Sequence, residues 1–319
     1  MAPGISELLT LSTYNTGKDL ADNISEGNAA LTMMSKSGNI RTFDGGVTIR
    51  EGLDYGTNSN VQFISGTETF AVGATEFATS AEFGIKELVG TVSVSQLDTV
   101  QNSGKGKLID LVTAKMKNLR RSMKNTIATS MHGDGTGSSS KSITGFLLMC
   151  PTTVTSGTYA GINRATAGNE FWRPQIVTTT MTAANSAALM TDLAIACTRG
   201  NDHPNLWLAG ATAYGFYNKG LQPLQQIASP KMADAGFVTL QFMGQPVVLD
   251  NNTGGLTATH MLALNTDYIS WRPFEGLNFA PADPDKRSPV NQLVTSQTLV
   301  FVGNLTASNC DVQGRLNGA

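Results

Sequence analysis

Gly133-Asp134-Gly135-Thr136-Gly137-Ser138-Ser139-Ser140-Lys141-Ser142 gathers the residue types that could cradle a phosphate: glycines that let backbone amides approach, a lysine, and hydroxyls. Its spacing argues otherwise. A phosphate loop has Gly directly before its Lys and joins a strand to a following helix. Here Ser140 precedes Lys141 and the segment follows a helical pattern, so it reads as a helix C-cap and connector. His132, His203 and His260 are scattered, none with a cysteine or second histidine at zinc-ligand spacing. His132 and Asp134 could place two ligands together, but a histidine in a helix's last turn is explained by the helix dipole. Cys150, Cys197 and Cys310 are far apart and odd in number, which fits a reducing compartment and no disulfide framework. Cys150 reads as a buried structural thiol, and the chain has no G-x-S-x-G nucleophile elbow. No catalytic residue, metal site or cofactor is expected.

The charges carry more information than the nucleophiles. Residues 42–98 hold eight acids (Asp44, Glu51, Asp54, Glu68, Glu76, Glu82, Glu87, Asp98) against Arg50 and Lys86, a net charge of −6. Residues 99–145 hold eight bases (Lys105, Lys107, Lys115, Lys117, Arg120, Arg121, Lys124, Lys141) against Asp110 and Asp134, a net charge of +6. The chain as a whole is nearly neutral, at −2 over 319 residues, so the asymmetry is internal. An acidic segment followed by a basic one suggests that copies of the chain bind one another. Only 14% of residues are charged, against roughly 25% in a typical soluble domain. Charge is depleted at the centres of interfaces, so the low share leans toward a surface largely covered by neighbouring copies. A pI near 5.9 makes no global case for nucleic-acid binding. The N-terminus does not read as a secretory signal, and no apolar run approaches the ~18 residues of a membrane span.

These charges sit on elements that the pattern resolves unevenly. Residues 1–41 read as a peripheral arm with little core of its own, with a short amphipathic helix around Lys18–Leu31. In 42–98, Val61, Phe63 and Ile64, then Ser65-Gly66-Thr67, then Phe70 and Val72 predict a hairpin, and Val89–Val94 a strand leaving it. This arm is polar on both sides and cannot close a core alone, so it lies across something else. Leu108, Val112, Met116, Leu119, Met123, Ile127 and Met131 recur at helical spacing, predicting one long amphipathic helix over 105–131, roughly 40 Å in length. Lys117, Arg120, Arg121 and Lys124 share its opposite side. That row is either a solvated face or an electrostatic surface for polyanions or for the acidic arm of another copy. Residues 146–255 read as an α/β unit: a helix over Asn185–Thr198, a buried strand over Asn205–Ala209, a helix near Thr212–Lys219, and a hairpin turning at Met243-Gly244-Gln245. From 256 onward the pattern is strand (Met261–Leu264, Tyr268–Trp271, Leu293–Val302), with an irregular loop marked by Pro281, Pro284 and Pro289. Trp172-Arg173-Pro174 and Trp271-Arg272-Pro273 share a tripeptide without a surrounding repeat.

The order of polar arm, acidic hairpin, long helix, α/β unit and returning strands resembles the major capsid protein of tailed bacteriophages, the Hong Kong 97-type fold. So do local stretches. Gly52-Leu53-Asp54-Tyr55-Gly56-Thr57-Asn58 and Gly66-Thr67-Glu68-Thr69-Phe70 look like the family's extended loop. Gln101-Asn102, Lys107-Leu108-Ile109-Asp110-Leu111-Val112 and Ser122-Met123-Lys124-Asn125-Thr126 look like its spine helix. Phe171-Trp172-Arg173-Pro174-Gln175, Leu221-Gln222-Pro223-Leu224, Arg287-Ser288-Pro289-Val290-Asn291-Gln292 and Gly303-Asn304-Leu305-Thr306 are similar to later parts of such proteins.

The resemblance implies an α+β chain: N-terminal arm (1–41), extended β-hairpin loop with its leading strand (42–98), spine helix and connector of a peripheral domain (99–145), α/β axial domain (146–255), and strands returning to the peripheral domain (256–319), with the axial domain open to the last residues. It implies a structural, non-enzymatic protein made in the bacterial host cytoplasm. Copies would form hexamers and pentamers of an icosahedral shell around double-stranded DNA. Glu51, Asp54, Glu68, Glu76 and Glu82 would be the acids of the loop laid over a neighbour. Lys117, Arg120, Arg121 and Lys124 would face that loop or the lumen. Some family members crosslink through a lysine in the loop; this chain has none between Thr42 and Ile85, so the expected shell is noncovalent. With only about 100 residues before the spine helix, a separate scaffolding protein is expected, together with a portal and an optional decoration protein. Rival readings are an encapsulin-like cellular shell of the same fold, an α/β enzyme, and a nucleic-acid-binding module using the basic helix.

Overall fold

The computed structural model describes residues 28–70, 72–101, 111–221, 239–250, 256–282 and 293–317. Helix α1 (Ala29–Lys36) opens at Asn28, whose side chain accepts a hydrogen bond from the Leu31 amide. The expected start of this helix at Lys18 lies outside the described residues. Ala30 and Met34 are buried in the main core, so the described end of the arm does contribute packing. Strands β1 (Thr48–Asp54), β2 (Ala78–Gly84) and β3 (Lys86–Ser95) follow, then α2 (Gln96–Gln101) and the long helix α3 (Leu111–Met131). The 21 described residues of α3 span about 31 Å at the α-helical rise. Met123, Ile127 and Met131 of its apolar stripe are buried, and Met116 and Leu119 half-buried; Leu108 lies outside the described residues.

Beyond α3 come the short pairs β4 (Thr158–Tyr159) and β5 (Ile162–Asn163), then β6 (Gln175–Val177), α4 (Ser186–Cys197), β7 (Leu206–Ala209), α5 (Ala211–Leu221), β8 (Thr239–Phe242), β9 (Gln245–Leu249), β10 (His260–Leu264), β11 (Ile269–Pro281), β12 (Val294–Ala307) and β13 (Gly314–Asn317). The β8–β9 turn bends at Met243 and Gly244, with φ of +47° and +80°, the paired left-handed geometry that tight hairpins require.

A three-stranded antiparallel sheet, β11-β12-β3, carries α3 against β3. A six-stranded mixed sheet runs β6-β13-β10-β7-β9-β8. Alternation along its strands serves two cores. Leu206, Leu208, Leu262 and Leu264 join the core that includes α3 and the aromatic residues, while Trp207, Ala209, Met261 and Ala263 pack beneath α4 and α5. Both faces are thus covered, which explains the unbroken apolar run of β7. Among the described residues from 256 onward, β10 and β13 belong to the six-stranded sheet and β11 and β12 to the three-stranded one.

Charge is also used inside the core. Arg164 is 1% exposed and donates to the carbonyls of Trp172, Leu148 and Met149 at 3.1, 3.0 and 2.7 Å, with its guanidinium over the Tyr159 ring. Those acceptors and the ring offset the cost of removing the cation from water. The phosphate-loop lookalike is a connector here. Asp134 caps its own turn by accepting from the Thr136 amide and hydroxyl, and these bonds hold its carboxyl below the usual range. Ser138, Ser139 and Ser140 then take left-handed φ of +52°, +58° and +65°.

Candidate intersubunit surfaces

The acidic segment forms an arm with a paired stem and an irregular tip. The stem is β1 against β2, in register from Thr48 opposite Gly84 to Asp54 opposite Ala78. The predicted hairpin thus exists, but its ladder lies outside the expected runs; Val61–Ile64, Phe70 and Val72 are not in strands. The reason is burial. Ile49, Leu53, Ala81 and Phe83 alternate into the core, whereas the apolar side chains of the tip are exposed. Side chains hold its two limbs together instead: Asn60 Nδ2 donates to the Gly73 carbonyl at 2.6 Å and Gln62 Nε2 to the Thr69 carbonyl at 3.4 Å.

The tip is not polar on both sides as expected. Val61, Phe63, Ile64, Phe70, Val72 and Phe77 are all exposed, Phe63 completely. Exposed apolar side chains gathered on one arm are the kind of feature that a partner would bury.

The arm's base is fixed firmly. Arg272 on β11 donates through Nε and Nη2 to Glu51 Oε1 at 2.9 and 2.5 Å, and Thr306 on β12 donates to the same oxygen at 2.9 Å. Both charged partners are largely shielded, with side-chain exposures of 16% and 15%. Asn304, fully buried on β12, donates to the Gly84 carbonyl at 2.7 Å and accepts from the Thr144 amide at 2.9 Å. Tyr55 stacks on Phe171 at 4.6 Å, at the point where stem gives way to tip.

The expected acidic set therefore divides. Glu51 is a clamp within its own chain and is not a surface acid. Glu82 pairs across the stem with Arg50, and Glu68 accepts from the Ser65 amide in the tip turn. Asp54 and Glu76 are exposed on the arm. On α3, Lys117, Arg120 and Lys124 are exposed in one row and Arg121 is half-buried. Lys124 also edges a groove of about 240 Å³ floored by Leu31, Ile127, Trp271 and Phe279. Arm and basic row are both present, but within one chain they are not brought together by any described ion pair. Residue type alone does not single out Arg272, Thr306, Asn304 or Tyr55; Asn304, Thr306 and Tyr55 lie in the Gly303–Thr306 and Gly52–Asn58 stretches that carry the family resemblance, and Arg272 lies in the Trp271-Arg272-Pro273 tripeptide.

The thiols offer no nucleophile. Burial pushes Cys310 and Cys197 up to about 12 and Cys150 higher still. Among the described residues no three His, Cys, Asp or Glu side chains are grouped to hold a metal, and no helix is long and apolar enough to cross a membrane.

No sequence-family model and no curated protein sequence matches the chain. Its fold has solved counterparts. The cyanophage A-1(L) capsid asymmetric unit is similar at a TM-score of 0.71 and 17% identity, over 96% of each chain. This is a phage capsid fold. A native GTA particle capsid matches at 0.59 and 14% identity over 96% of each chain. The capsid fold also extends to the SrpI encapsulin complex of Synechococcus elongatus PCC 7942, at 0.55 and 12% identity over 100% of this chain and 96% of that one. The arm and the long helix thus lie in a chain whose fold is matched nearly end to end.

Proposed function

We propose that this chain is the major capsid protein of a tailed bacteriophage, with a structural and non-enzymatic role. In the Hong Kong 97-type description, α3 is the spine helix of the peripheral domain, the six-stranded sheet with α4 and α5 is the axial domain, and the β1–β2 arm is the extended loop. Copies assemble as hexamers and pentamers of an icosahedral shell around double-stranded DNA. A separate scaffolding protein and a portal assist assembly, and a decoration protein is an optional addition. The observation that carries this reading is the arm: exposed apolar side chains at the end of a stem clamped to two strands. A monomer gains nothing from that combination, whereas a neighbouring copy that covers the tip recovers the burial energy, about 1.5–3 kcal/mol per large side chain. Asp54, Glu68 and Glu76 are the acids able to meet a neighbour, with Lys117, Arg120 and Lys124 as a complementary row or a lumen-facing surface.

An encapsulin-like shell is the second reading, favoured by the full-length likeness to the SrpI complex. The contents of purified particles separate the two: packaged DNA for the first, enclosed protein for the second. Assembly itself is tested by replacing Phe63 and Phe70 with serine and co-expressing the chain with its neighbouring genes. Wild type should sediment as shells and the double variant as monomers or small oligomers. Wild-type protein that stays monomeric under those conditions contradicts the proposal.

A further inference from the structure

We propose that the groove between α1, α3 and β11 receives the arm tip of a second copy, with Phe70 on its apolar floor and Glu68 at Lys124 on its rim. The inference rests on the shell reading and adds to it the place where the tip docks. Three elements build the groove of about 240 Å³: α1 supplies Leu31, α3 supplies Ile127, and β11 supplies Trp271 and Phe279. Ile127 and Trp271 are buried, while Leu31 and Phe279 are half-buried and leave apolar surface for an occupant.

Phe279 reaches the groove through a strained backbone. It is the extra residue of a bulge in β11, between Asn278 opposite Phe301 and Ala280 opposite Val300. Its φ is +55°, a left-handed conformation that such bulges ordinarily give to glycine and that a bulky side chain rarely takes. A bulge re-aims a side chain. Here the ring packs beside Phe301, with centroids 5.6 Å apart, and lines the groove. Strain of this kind is retained where it shapes a site.

The rim selects the occupant. Asn28 and Thr32 are engaged within their own helix: Asn28 Oδ1 accepts from the Leu31 amide, and Thr32 Oγ1 donates to the Asn28 carbonyl, both at 2.9 Å. Lys124 is exposed, and among the described residues its ammonium has no hydrogen-bond or ion-pair partner. Lys117 and Arg120 extend the positive row along α3. An apolar floor beside an unpaired cation fits an aromatic side chain accompanied by a carboxylate. The arm tip carries that combination. Phe70 is exposed and follows Glu68 by two residues, and residues 55–77 hold Glu68 and Glu76 but no base. One oxygen of Glu68 accepts from the Ser65 amide, which fixes the turn and leaves the other for a cation. Phe63 and Phe70 stand exposed in their own chain, so a tip that fills this groove fills that of another copy.

The test is disulfide trapping in particles made by the full chain with its neighbouring genes, using Glu68→Cys with Lys124→Cys. The three native cysteines are buried and do not compete. After mild oxidation the double variant should run as a ladder of linked chains on a non-reducing denaturing gel, and as monomer once reduced. Each single variant should give no ladder, nor should Glu68→Cys with Ile195→Cys, an exposed site on α4. If the cysteine pair prevents assembly, charge exchange decides. Lys124→Glu should cut shell yield by about tenfold, because like charges across an interface repel. Glu68→Lys with Lys124→Glu should restore most of it. Closed particles of the cysteine variant without a ladder, an equal ladder in the Ile195→Cys control, or a charge exchange that restores nothing overturns the docking and leaves the shell reading standing. Wild-type chain that forms no particles overturns the shell reading and the docking with it.

Discussion

Glu51 looks like a surface acid in a polar arm, yet its carboxylate fastens that arm to the body through a guanidinium 221 residues away. Arg272→Ala removes the two bonds it donates and leaves the acid half-shielded. The expected cost is about 2 kcal/mol, read as a lowered midpoint in chemical unfolding, with protease sensitivity appearing at the stem. His260 gives a second test at this scale. Burial, then the nearby Arg315, lowers its pKa from 6.5, so the folded chain resists protonating it. The unfolded chain takes up that proton first, so the contribution is present above about pH 6.5 and is lost as pH falls toward the lowered folded value. His260→Gln should show a shallower loss of thermal stability on acidification than wild type. None of these pairings was legible in the sequence, because each joins residues far apart in the chain.

Elements were far more legible than pairings. Strict 3.6-residue recurrence marked α3, and buried apolar runs with glycine turns marked α4, β7 and the β8–β9 hairpin. The arm was half-read. Its topology followed from turn chemistry, but its ladder did not, because Thr48–Asp54 and Ala78–Gly84 owe their pairing to core contacts at Ile49, Leu53, Ala81 and Phe83. The basic row on α3 is where element-scale chemistry can be tested. Arg120→Glu with Lys124→Glu changes two exposed positions, so monomer stability should move by no more than about 0.5 kcal/mol each. Shell yield in sedimentation, or DNA retained per particle, should fall. Unchanged yield and unchanged DNA would make the row a solvated face.

At the scale of the whole molecule, the proposed function gives low charge content, an internal charge switch and an exposed apolar tip one explanation: a surface that other copies would cover. The arm lacks the lysine that covalent crosslinking would use, so particles boiled in detergent should run as a single 33.7 kDa band. A ladder of multimers would contradict noncovalent assembly. The most direct measurement is cryo-electron microscopy of particles from the chain expressed with its neighbouring genes. Closed shells of hexamers and pentamers are predicted, with Phe63 and Phe70 of each arm buried against an adjacent subunit. Absence of closed particles, or a shell in which those rings stand in solvent, would contradict the account.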